Sequence, residues 1–178
     1  MFREMRRFKQ LLTKEETVAI FERGQEGILA VQGDDGYPYA VPVNYIYKDG
    51  EIYFHGGTAG HRYDALKRCD KVSFCVIDKN TVVPEKVTTY FRSAVAFGRA
   101  HILEGDEETA NAARMLAYKY SVDFPDAIEE EIRTSMGHLC CVRIDIEHMT
   151  GKQAIELVKQ AEAPEVTKTS HGLSCEVL

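Results

Sequence analysis

The chain has 178 residues, a formal charge of −6 and hydrophobic side chains at 44% of its positions, enough for one domain that buries roughly 70% of its unfolded surface without a metal or disulfide staple. The acidic balance disfavours a general nucleic-acid surface, and no apolar run is long enough to span a membrane. The five cysteines lack paired CxxC spacing, so they read as reduced thiols of a cytoplasmic protein. The basic start, residues 1–9, is not followed by an apolar stretch and does not read as a signal peptide.

In chain order, Thr13 and Glu16 form a capping box, and Val18 and Phe21 continue the apolar face of a helix that Gly24 ends. Residues 27–31 are a short buried strand, closed by the turn Asp34-Asp35-Gly36. From Tyr37 to Tyr47 aromatic and β-branched residues alternate with a second set, which is strand chemistry. Pro38 and Pro42 cannot donate to a ladder. They place this strand at an edge or bulge, where backbone groups stay free for a ligand. Asp49-Gly50 is a hairpin pair, and residues 52–54 resume extended structure behind it. Residues 55–60, HGGTAG, read as a Gly-rich loop opening a helix with Arg62, Leu66 and Lys67 at helical spacing. A helix start with a cation in its first turn suits a phosphate.

Residues 72–77 alternate as a further strand and 78–86 read as a polar loop. Residues 90–103 are a long strand with Ala94, Ala96, Gly98 and Ala100 on one face, bent at Gly98. Asp106 reads as the N-cap of an acidic first turn, and Ala113, Leu116, Ala117 and Tyr120 give an amphipathic helical stripe. Pro125 opens another helix, 139–146 is a strand, and Thr150-Gly151-Lys152 opens a last turn or helix through Leu157. Composition turns polar near residue 161, so the expected organisation is a domain over 1–160 and a tail over 161–178. One-sided alternation and the predominance of strands predict a mainly β, mostly antiparallel barrel with peripheral helices.

Met5-Arg6-Arg7, residues 35–42 (DGYPYAVP), residues 50–56 (GEIYFHG), Gly60-His61-Arg62, residues 93–99 (SAVAFGR) and Thr150-Gly151-Lys152 together resemble the FMN-binding split barrels related to pyridoxamine phosphate oxidase, and among them the Nim nitroimidazole-resistance group. The resemblance covers the chain to about Leu157. It implies a six-stranded antiparallel Greek-key split β-barrel, a homodimer, and FMN at each of two sites in the dimer interface. The Nim-like pattern usually has Lys where Arg62 stands, a change that keeps the charge and adds a bidentate fork. The true oxidases carry further aromatic and Arg-rich substrate-binding motifs that this Trp-free chain lacks, so vitamin B6 oxidation is not expected.

Each candidate has a plainer alternative. Arg62 is a phosphate partner or a solvated helix face; Thr58 and Ser93 are hydroxyl donors to that phosphate or a cap and a strand filler. Val41, Pro42 and Val43 are ordinary strand, or, as the resemblance implies, lend their backbone to the flavin ring edge. His55, with Gly56 after it, is a half-buried histidine or, by resemblance, the catalytic proton donor beside the flavin. His61 belongs to the same cofactor-binding segment. His55 and His61 as metal ligands lack a carboxylate or cysteine to close the site, so no metal is expected.

The leading expectation is a cytoplasmic FMN-dependent oxidoreductase that takes electrons from a transiently bound nicotinamide and passes them to a small oxidised organic compound, such as a nitroaromatic. A Rossmann GxGxxG is absent from the sequence. The alternative is a non-catalytic split barrel holding FMN, a deazaflavin or haem, with His55, His101 or His138 as conceivable axial ligands.

Overall fold

A computed structural model describes residues 2–162. It contains strands β1 (Glu26–Gln32), β2 (Pro38–Asn44), β3 (Ile46–Lys48), β4 (Glu51–Gly57), β5 (Lys71–Val83), β6 (Thr88–Ile102) and β7 (Leu139–Gln153), with helices α1 (Lys14–Arg23), α2 (His61–Arg68), α3 (Asp106–Ser121), α4 (Pro125–Ser135) and α5 (Ile155–Glu162). The strands form one antiparallel sheet in the order β2-β1-β5-β6-β7-β4-β3. The expected fold class is therefore present: mainly β, split-barrel in form, with helices at the periphery.

The strand count is seven rather than six because Tyr45 interrupts the long strand read over 37–47. β2 pairs with β1 and β3 pairs with β4, so the two outer strands of the sheet are consecutive in the chain. The sheet curls until its edges lie one residue apart, and the covalent chain, not a ladder, joins them. Such a break strands polar backbone groups, which must find other partners. The Tyr45 N–H donates to the Tyr120 hydroxyl at 2.9 Å, and the Tyr45 carbonyl accepts from Lys119 Nζ at 2.8 Å. Tyr45 itself points inward, fully buried, with its hydroxyl donating to the Phe21 carbonyl at 2.7 Å and its ring edge-on to Phe74.

The barrel interior holds Leu29, Val31, Ile52, Phe54, Phe74, Val76 and Ile144. Ala94, Ala96, Gly98 and Ala100 leave room for those rings by presenting almost no side chain from β6. Gly98 sits at the register shift between β6 and β7, and a β-carbon there would collide with the Asp145 carbonyl. The bend expected at Gly98 is this shift. A second, smaller apolar cluster (Ala112, Ala113, Ile128, Ile132 and Cys141, with Tyr53 and Leu139 against it) joins α3 and α4 to the outer face of β4 and β7. The capping box of α1 is formed by Thr13 and Glu16 as the sequence predicts.

Several boundaries differ. The polar loop expected over 78–86 is the continuation of β5 to Val83 and a short 3-10 turn, Pro84–Lys86. This end of the β5–β6 hairpin buries no complete face, so its sequence carries no apolar alternation. Asp78 marks a bulge there and bonds Arg23 at 2.5 Å. His55, Gly56 and Gly57 are not loop but the last residues of β4, paired with Cys141, Cys140 and Leu139. The N-cap of α3 is Gly105, with φ 100°, and Asp106 is the first helical residue. Thr150, Gly151 and Lys152 close β7 rather than opening a helix, and α5 starts at Ile155. The tail beyond residue 162 lies outside the described residues.

Candidate functional site

Residues 51–57 alternate across the sheet. Ile52 and Phe54 enter the barrel, while Tyr53 and His55 face α3 and α4. Where β4 ends, the α3–α4 pair does not close down on the strand. A cavity of about 850 Å³ remains, lined by His55, Gly56 and Gly57 from β4, Leu116, Tyr120 and Phe124 around α3, and Ile128, Glu131 and Ile132 from α4. This volume is within the range of small-molecule sites.

The imidazole of His55 opens onto this cavity. Its pKa is held below the ordinary 6.5. The chief cause is the surrounding protein, which penalises the charged ring; Arg62 adds to it and Glu131 opposes it. At neutral pH the ring is therefore a neutral donor and acceptor.

Arg62, in the first turn of α2, does not extend into solvent. Its side chain folds back across Gly56, with the guanidinium 5.8 Å from the Phe54 ring centroid and one long hydrogen bond, 3.4 Å, to the His55 carbonyl. Only a glycine at position 56 admits it, because a β-carbon would stand on the guanidinium. That carbonyl is its one hydrogen-bond partner among the described residues, so Arg62 keeps most of its donors for an anion.

The remaining candidates are distributed as follows. Val41 and Val43 turn toward the core and Pro42 outward, on β2. β2 is an edge of the hydrogen-bonded sheet, as its prolines demand. Thr58 is exposed in the short link between β4 and α2. His61 stacks on Tyr39, with centroids 4.2 Å apart, and lies 3.6 Å from Asp34, which also pairs with Arg68. These contacts tie α2 to the turn before β2. Ser93 is not beside Arg62. On β7, the partner of His55 is Cys141 near the strand's start, and the partner of Ser93 is Lys152 near its end. At roughly 3.3 Å per residue, about 36 Å of strand runs between them. The structure thus gathers His55, Gly56 and Arg62 and leaves Ser93 on another face.

Cys140 and Cys141 alternate with the strand, one toward each core cluster. Burial raises both thiols, Cys141 to about 12 with Cys140 adding to the shift; neither is a nucleophile at neutral pH. No group of His, Cys, Asp or Glu among the described residues has the arrangement of a metal site, and no described helix is long and apolar enough to cross a membrane.

Sequence reading missed the helical wall of the cavity. Glu131 is the informative residue there. Ile128, Glu131, Ile132 and Ser135 follow i, i+3, i+4, i+7 spacing, so the exposed Glu131 carboxylate stands at the cavity beside two buried isoleucines of α4.

The chain matches the family described as pyridoxamine 5'-phosphate oxidase over residues 13–153. It belongs to that family. Its fold is also that of several solved structures. A candidate 5-nitroimidazole antibiotic resistance protein of Bacteroides thetaiotaomicron superposes with a TM-score of 0.65 at 21% identity, over 80% of this chain and 86% of the other. An FAD-binding protein of Mesorhizobium loti gives 0.63 at 23%, over 82% and 97%. The FAD and heme binding protein of Mycobacterium smegmatis gives 0.67 at 17%, over 87% and 80%. No protein of curated function matches in sequence. Two of these three neighbours are named for binding FAD; what the likeness shows of this chain is its fold.

Proposed function

We propose that this member of the pyridoxamine 5'-phosphate oxidase family is an FMN-dependent oxidoreductase of the cytoplasm that reduces a small oxidised organic compound, such as a nitroaromatic, with electrons from a transiently bound nicotinamide. The observation that carries the reading is the meeting of Arg62 and His55 at the end of β4, one offering an anion anchor and the other a neutral imidazole at an apolar cavity. The residues present fit FMN: Gly56 leaves the space that Arg62 fills, Arg62 has donors to spare, and the cavity beside them is mostly apolar.

Arg62 and the opening amides of α2 would hold the phosphate, with Thr58 as a hydroxyl donor. The edge backbone of Val41, Pro42 and Val43 would meet the polar rim of the ring. When bound, FMN supplies the exchange of two electrons between donor and acceptor. Reducing a nitro group to nitroso also consumes two protons and releases water. His55 would first take a proton from solvent and then, as the imidazolium, deliver it to the acceptor oxygen, returning to the neutral ring that its lowered pKa favours. Leu116, Phe124, Ile128 and Ile132 keep water off the acceptor.

The reading includes a homodimer. Ile28, Cys75 and Val95 form one row across β1, β5 and β6, and with Ile77 and Phe97 they make an apolar outer face; Ile28, Ile77 and Phe97 are 38%, 59% and 39% exposed. Ser93 has the same strand parity as Val95 and Phe97. A second copy on this face would meet it, and Ser93 would then serve the partner's cofactor.

A second reading, a binding protein for haem, is favoured by one observation: His55 and His138 line the same apolar cavity. The absorption spectrum of the purified protein separates the two. A flavin spectrum that bleaches with a reduced nicotinamide and returns on adding a nitroaromatic supports the reductase. A Soret band supports the haem reading and overturns the first.

A further inference from the structure

The polar groups of the cavity are not equally available. Asn44 Nδ2 donates to the Gln25 carbonyl at 3.2 Å, the Tyr120 hydroxyl is engaged by the backbone of Tyr45 and Gln25, and Ser135 Oγ donates to the Glu131 carbonyl at 2.5 Å. Among the described residues, the side chains of His55, Ser121, Glu131 and His138 keep their cavity-facing polar atoms unbonded to protein. Three consecutive glutamates stand on α4, and two are neutralised: Glu129 by Arg114 at 2.6 Å and Glu130 by Arg133 at 2.6 Å. Glu131 alone lacks a cation, and Glu131 alone lines the cavity. The nearby Arg62 lies across Gly56 and bonds the strand, not the carboxylate.

The lining therefore combines apolar walls from Leu116, Phe124, Ile128 and Ile132 with one exposed carboxylate, Glu131, that pairs with no cation of the described residues. Glu131 is exposed and hydrated, and it is the one acidic side chain at the cavity among the described residues, so a cation entering between the apolar walls meets it without displacing a protein partner. We infer that the cavity is a binding chamber for a small aromatic cation, with Glu131 as its charge partner and the α3–α4 walls as its stacking surface. As a statement about catalysis this rests on the proposed reductase and names its substrate class, a protonated or quaternary aromatic base. As a statement about binding it needs no flavin.

The test is calorimetric titration of the protein as purified with naphthylmethylammonium and with its neutral isostere, naphthylmethanol. The cation should bind about tenfold more tightly than the alcohol, the scale of one charge-assisted contact in a partly solvated site. Glu131→Gln should abolish that preference and leave the alcohol's affinity unchanged, whereas Glu130→Gln, which removes a charge already paired outside the cavity, should keep it. Three results overturn the inference: equal binding of cation and alcohol by the parent, a preference that survives Glu131→Gln, or release of the cation by excess FMN, which would make the chamber the cofactor's own. A protein purified without flavin that still shows the preference retires the reductase reading and keeps the chamber.

Discussion

The guanidinium of Arg62 occupies the space in which a β-carbon on Gly56 would stand. Gly56→Ala should therefore act on Arg62, since the far end of a flexible side chain yields more readily than β4, which is paired along its length with β7. If the guanidinium holds the FMN phosphate, both Gly56→Ala and Arg62→Ala should weaken FMN by roughly 10-fold to 100-fold, the range of one or two charge-assisted hydrogen bonds. Riboflavin, without the phosphate, should bind all three proteins alike, and Arg62→Lys should retain most of the FMN affinity. Quenching of flavin fluorescence measures each constant. A parental FMN affinity in Arg62→Ala would place the phosphate elsewhere.

His55 makes a prediction about pH. Burial and then Arg62 lower its pKa in the folded protein, against the opposing effect of Glu131. Above the unfolded value of about 6.5 the ring is neutral in both states and contributes no slope. As pH falls through that value the unfolded chain takes up the proton first, so stability declines until the folded ring also titrates. His55→Gln removes this loss. The stability advantage of the parent over the variant should thus shrink between neutral pH and about pH 5, as read from urea midpoints. A difference independent of pH would show that the ring titrates normally. In turnover with a nitroaromatic, His55→Ala should be slower by about 10²-fold while retaining FMN.

Much of this was legible in the sequence because it is written in short-range chemistry. The Thr13 and Glu16 box, the Asp49-Gly50 turn, the edge prolines of β2 and the small face of β6 each follow from local residue types, and all are present. The break at Tyr45 was not legible. Its cause is the distant pair Lys119 and Tyr120, which supply the hydrogen bonds that a continuous strand would otherwise provide. The Thr81 to Val83 end of β5 was hidden for the opposite reason, since a strand that buries no face has no alternation to read. At the site, the nearness of His55, Gly56 and Arg62 follows from their closeness in sequence. The cavity opposite them depends on how α3 and α4 lie over β4, which no local pattern encodes.

Tyr120 bonds the Tyr45 amide and comes within 2.6 Å of both the Gln25 and Tyr45 carbonyls. Tyr120→Phe removes that hydroxyl without changing the ring and leaves the Tyr45 N–H without a partner. A cost of about 1–3 kcal/mol is expected, which for a chain of this size lowers the melting temperature by roughly 2–4 °C per kcal/mol. Because the same helix end lines the cavity, ligand affinity there should fall as well. Tyr118→Phe, two residues earlier on a similarly exposed ring whose hydroxyl has no hydrogen bond among the described residues, should move neither quantity. Equal melting of parent and Tyr120→Phe would mean that water takes over at the break.

Ile28, Cys75 and Val95 form the row on which a second copy would sit. These residues pair directly across β1, β5 and β6 on the side of the sheet away from the barrel interior, and Pro42 on β2 extends the row. Ile28→Glu places a carboxylate in the middle of it. In a monomer that change is tolerable, because the side chain is 38% exposed and can reach water. Against the same face of a second copy it buries two like charges without partners, at a cost of several kcal/mol. The variant should therefore be a folded monomer by light scattering, with a melting temperature close to that of the parent at dilutions where the parent also dissociates. If the cofactor is enclosed from both sides, with Ser93 of one chain serving the other's phosphate, FMN should be lost in the same step. Val122→Glu, an equally charged change at a residue 64% exposed in the α3–α4 turn, should leave both the dimer and its flavin intact. A dimeric Ile28→Glu with full FMN content would exclude this face as the interface, and a monomer that keeps FMN would show that one chain suffices to hold it.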